Sequence, residues 1–122
     1  MLVVTPEEVS KFRNQLADYP AALTALHEIE ECEGSLEDAV TVLAIESGQE
    51  PDRAPQWFND LLERSRQILC QEDVRDEIMA GFLAVGVEAL LASTIVPAGL
   101  AAPVVIYVFK VGIKKYCQIS PE

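Results

Sequence analysis

Apolar residues recur along this chain at spacings of three and four, and short polar clusters holding Pro, Gly or Ser interrupt them. Thr5-Pro6-Glu7-Glu8 reads as a helix start. Thr5 can cap, Pro6 has the φ that a first turn requires, and Glu8 stands where a capping box needs it. Val9, Phe12 and Leu16 then follow at helical spacing until Asp18-Tyr19-Pro20, which ends one helix and starts another. Leu23, Leu26 and Ile29 give the second helix its stripe, and Gly34 is expected to supply its left-handed stop. Ser35 caps a third helix, with Glu37 and Asp38 in its positive first turn and Leu36, Ala39, Val40 and Leu43 on its inner face. Gly48 closes it, and residues 49–55 form a polar turn inside the domain.

The amphipathic pattern is strongest over residues 55–71. Trp57, Phe58, Leu61, Leu62, Ile68 and Leu69 share one side of that helix, and Asp60, Glu63, Arg64 and Arg66 the other. Val74, Ile78, Phe82 and Val85 predict a fifth helix from near Asp73 to about Thr94. Residues 96–100 break the pattern, and Pro103 is placed to open a last helix ending near Tyr116. The chain is therefore expected to be all-α, with about six helices in a single domain over residues 1–122. Only Val104 to Phe109, β-branched and aromatic, competes for strand.

Charge changes this picture by dividing the chain. Residues 1–79 carry 18 Asp or Glu against six Lys or Arg, whereas residues 80–122 carry two against three. A net charge of −11 repels a phosphate backbone, so nucleic acid is not an expected partner. Cys32, Cys70 and Cys117 are odd in number and widely spaced, which predicts three free thiols and no zinc site. The first residues lack a basic stretch followed by an apolar run. A cytoplasmic location, with a membrane-peripheral one as alternative, is the resulting expectation.

Ala22-Leu23-x-x-Leu26, followed by Glu33-Gly34-Ser35-Leu36-Glu37-Asp38-Ala39-Val40-x-x-Leu43, resembles the second helix, tight turn and third helix of the ubiquitin-associated (UBA-like) fold. The resemblance covers residues 7–47 and implies a three-helix trio. That family's binding loop usually reads Met-Gly-aromatic, where this chain has Ala17-Asp18-Tyr19, so the resemblance implies the fold rather than ubiquitin binding. From Cys32-Glu33-Gly34 through Gly48-Gln49-Glu50-Pro51 to the apolar tail, the chain is also similar to small, uncharacterised all-helical proteins of the cyanobacterial type. That likeness implies no activity.

Candidate chemistry is sparse. His27 is the one histidine, and Cys32, five residues on, points about 140° away on a shared helix. Glu28, Glu30, Glu31, Glu33, Glu37 and Asp38 could offer oxygens to a divalent cation, but they lack a D-x-D-x-D-G loop and read first as a solvated face. No catalytic, cofactor-binding or metal-ligating residue is expected, and the protein is expected not to be an enzyme. Trp57-Phe58 reads as core, with an interface anchor as the rival. Glu88 either faces solvent or pairs with Lys110 or Lys114.

The tail holds the main functional fork. Ala89 to Phe109 runs 21 residues without a charge, enough to span a hydrocarbon core of about 30 Å, but Pro97, Gly99 and Pro103 interrupt it. The expectation is an apolar hairpin within residues 73–117, packed in the core under the 55–71 helix, with one face left for self-association. The functional expectation is a non-catalytic protein–protein interaction or regulatory module with an unidentified partner, a homo-oligomer among the candidates. The alternative is a membrane-associated protein docking through residues 79–117.

Overall fold

A computed structural model of the protein describes residues 2–118, of which about three quarters are helical. Among the described residues no strand forms, and Val104 to Phe109 lies inside a helix. The helices are α1 (Pro6–Gln15), α2 (Pro20–Glu31), α3 (Leu36–Glu46), α4 (Ala54–Leu69), α5 (Glu72–Met79), α6 (Ala84–Ser93), α7 (Ala98–Val111) and α8 (Ile113–Cys117). A 3-10 turn over Pro51–Arg53 leads into α4. Among the described residues eight helices stand where about six were expected, because two expected helices are each cut at a glycine.

The starts follow the local chemistry. At α1, Thr5 Oγ1 accepts from Glu8 N–H at 3.2 Å and the Glu8 carboxylate accepts from Thr5 N–H at 3.0 Å, a complete capping box. At α3, Ser35 Oγ accepts from Asp38 N–H at 3.2 Å. The stop of α2 differs from expectation, since Glu33 already adopts the left-handed conformation (φ 56°) and Gly34 follows at φ 86°. Gly34 N–H donates to Ile29 C=O at 2.8 Å and Glu33 N–H to Glu30 C=O at 2.9 Å, which satisfies the end of the helix. Gly34 has a second reason to lack a side chain: a Cβ there would stand 2.6 Å from Val4 O. The extended segment before α1 lies against this turn, with Val4 N–H donating to Gly34 C=O at 2.8 Å.

The expected helix over 73–94 ends at Met79 and restarts at Ala84. Gly81 (φ 96°) turns the chain, and Gln15 stabilises the turn from α1. Its amide donates to Gly81 C=O at 2.9 Å and accepts from Leu83 N–H at 2.9 Å, so one side chain satisfies two backbone groups that leave the helical ladder. Phe82 and Val85, expected on a buried stripe, are exposed as a consequence. Beyond the turn, Gly86 lets α6 approach closely, since a Cβ there would meet Ile78 Cδ1 at 3.0 Å and both Val105 methyls at 3.3 Å.

The last long helix starts five residues before Pro103, with Pro97 as its N-cap. Pro103 sits within α7, where the N–H it lacks would have met Gly99 C=O, only one turn inside the helix. Gly112 (φ 103°, ψ 117°) then separates α7 from α8.

The core centres on α7. Leu100, Val104, Val105, Ile106 and Val108 are fully buried, packed chiefly against α2 and then against α3 and α6. The 55–71 helix was expected to cover the hairpin of residues 73–117; α4 does pack on α6 and α5 of that segment and meets α7 where Phe58 stacks edge-on with Tyr107 at 5.6 Å, and it lies equally on α3. Every residue of α7 from Leu100 to Ile106 is buried. Among the described residues, no helix is long and apolar enough to cross a membrane.

Candidate functional site

The residues considered as chemical candidates are dispersed. His27 is exposed, and its Nε2 lies 3.3 Å from Glu31 Oε1. Cys32, at the end of α2, is half-buried, and burial together with Glu28, Asp38 and Glu31 pushes its thiol up. In the acidic group Glu30 is engaged by Arg13, and Glu37 Oε1 accepts from Leu2 N–H at 3.2 Å. Among the described residues no three His, Cys, Asp or Glu side chains gather in a way that could hold a metal ion. Glu88 is exposed and accepts from the Tyr19 hydroxyl at 2.9 Å, raising the phenol, whereas Lys110 pairs with Glu8 at 2.7 Å.

Cys70 and Cys117 correct the expectation of three free thiols: they form a disulfide, with Cα atoms 5.7 Å apart, and Cys32 alone is free. The bridge joins the C-cap of α4 to the last residue of α8 across 47 residues. Tyr116, beside it, donates its hydroxyl to Leu62 C=O, and the Arg66 guanidinium lies 5.3 Å from the centre of its ring. Burial drives the Tyr116 hydroxyl far above the usual tyrosine range.

The concave regions include a cleft and a groove, and a separate exposed apolar corner stands beside them. A cleft of about 360 Å³ opens between α3, α4 and the end of α7, walled by Leu2, Leu36, Val40, Phe58, Tyr107 and Val111, with Glu37, Thr41 and Asn59 adding polar atoms. A shallower groove of about 480 Å³ runs beside Trp57, Leu61, Leu91, Ile95 and Pro97. Trp57 is half-buried there, neither core nor free anchor. The exposed apolar corner lies between α5 and α6, where Met79, Phe82 and Val85 are 42%, 55% and 39% exposed within seven residues. Glu72, Asp73, Asp76 and Glu77 of α5 and Glu88 of α6 are exposed on the two flanking helices. The Gln15 amide hydrogen-bonds the backbone on both sides of the turn at this corner.

Among the described residues the chain folds as an all-helical domain, with three exposed apolar side chains at one corner between helices that carry exposed carboxylates. No protein-family model, curated protein or solved structure matches the chain.

Proposed function

We propose that this protein is a non-catalytic interaction module that docks through the Met79–Phe82–Val85 corner. The carrying observation is that a large aromatic side chain is held out in solvent by a turn that Gln15 fixes from another helix. Such pre-organisation lowers the entropy lost on binding, and an exposed Phe fits an apolar pocket on a partner. The carboxylates on the flanking helices favour a partner whose pocket has a basic rim. A second copy of the chain would bring like charges together, so added salt should strengthen self-association and weaken binding to a basic partner. Lipid docking has less support, because the apolar residues of α7 are turned into the protein.

The test places a photo-crosslinking residue at position 85 in the full chain and exposes it to an extract of its native cells. Excess wild-type protein should suppress the crosslinked product, and excess Phe82→Ser protein should not. Phe82→Ser should leave the unfolding midpoint nearly unchanged, within about 0.5 kcal/mol, since the side chain is exposed. Crosslinks that the two competitors suppress equally would remove the corner from consideration. Sedimentation of the pure protein at low and high salt separates a homo-oligomer from a basic partner.

A further inference from the structure

The C-terminal end of the fold is built differently from the rest. All twelve of the largest fully buried side chains lie at or before Ile106, so α8 contributes none of them. Only five residues long, α8 is held at its start by Ile113, at its end by Tyr116 and by the Cys70–Cys117 bridge. Gly112 joins it to α7 at φ 103°, a conformation that glycine adopts without strain, and a Cβ placed there would meet nothing within 4 Å. The place that a side chain would take at that linkage is open. Both bridged cysteines lie at the edge of the core and are only partly buried.

We propose that Cys70–Cys117 is a reversible redox site, and that its reduction by a dithiol unlatches α8 from α4 about Gly112. A thiolate of the dithiol attacks one bridge sulfur, forming a mixed disulfide while the other protein sulfur leaves and takes up a proton. The second thiol of the reductant then displaces the protein sulfur, which is also protonated. Two electrons pass to the protein, and the reductant ends as a disulfide. Both protein sulfurs sit at helix C-termini, the opposite end from that which activates cysteine nucleophiles, so the pair suits a latch rather than a catalyst. Once free, α8 carries Lys114 and Lys115 away and uncovers the parts of α5 and α7 it packs on, together with Leu62 and Arg66 of α4 under Tyr116. The inference is independent of the apolar corner, which the bridge does not touch.

The experiment uses the full oxidised chain and dithiothreitol in native buffer. Two further thiols should become alkylatable without denaturant, the helical spectrum should persist, and amides of residues 113–117 should exchange faster by about tenfold or more while those of α7 keep their protection. The Cys70→Ser/Cys117→Ser variant should show the same exchange pattern with or without reductant. Reoxidation with a glutathione couple should restore the slow exchange. Three outcomes would each overturn the proposal: a bridge reducible only after unfolding, exchange that accelerates throughout the chain together, or unchanged protection of residues 113–117. A native protein in which all three thiols are free and resist oxidation would overturn it as well.

Discussion

Gln15 carries more of the architecture than its side-chain type announces. Its one amide closes the α5–α6 turn at both ends, donating to Gly81 C=O and accepting from Leu83 N–H. Gln15→Ala leaves both groups part-buried without partners, and should cost about 1–3 kcal/mol in chemical denaturation. A loss indistinguishable from zero would mean that water replaces the amide. Glu8 is a second such residue, at once the capping-box acid of α1 and the partner of Lys110, 102 residues away. Burial alone would raise its carboxyl, but the hydrogen bonds and charge of Lys110 and the Thr5 backbone outweigh it, and the result is lowered. A carboxyl lowered on folding stabilises the protein above its unfolded value, near 4.5, and that stability is lost as pH falls through the lower folded value. Glu8→Gln should therefore flatten the decline of unfolding free energy on acidification below about pH 4.5. An unchanged acid limb would show that Lys110 contributes nothing through this contact. Half of Glu8's role was legible in the sequence, because a capping box is local; its link to Lys110 is a tertiary fact with no signature in spacing.

At the scale of elements, the starts were read well and the breaks less so. Thr5 and Ser35 cap where a hydroxyl precedes an acidic first turn, since the partner N–H lies three residues on. Ser35→Ala should cost about 1 kcal/mol, read as a lower denaturation midpoint, and a shift confined to experimental error would mean that Asp38 N–H is satisfied otherwise. Gly81 escaped notice because Val74, Ile78, Phe82 and Val85 keep helical spacing straight through it. The periodicity is genuine up to Ile78 and accidental afterwards, where Phe82 and Val85 face solvent. Pro103 misled in the opposite sense: a proline signals a start, yet here it stands inside α7, where the lost hydrogen bond falls one turn from the end. The 47-residue separation of Cys70 and Cys117 gave no motif, and only the meeting of α4 and α8 brings them together. The corner now offered as a docking surface was hidden for the same reason as the break at Gly81.

At the scale of the whole molecule, the division of charge is the pattern that survives best. The acidic residues of 1–79 lie largely on solvent faces, and the nearly neutral tail supplies the centre of the core. That arrangement makes α7 the last long helix in sequence and the first in burial. Its heaviest packing is against α2, so the inner face of α2, with Ala22, Ala25, Leu26 and Ile29 buried, depends on residues some 80 positions away. The fragment 1–78 keeps α1 to α4 and most of α5 but loses the helix against which α2 and α3 rest. It would expose four α2 side chains together with Leu36 and Val40 of α3, an apolar patch beyond the few hundred Å² that soluble monomers tolerate. Local helix propensity cannot compensate, because helices of 10 to 16 residues are marginal in water without packing. The fragment should show residual helix in the far ultraviolet, bind a hydrophobic dye, and unfold without a cooperative transition. A cooperative transition with low dye binding would instead show that α1 to α4 form a core of their own, with α7 packed on a preformed surface.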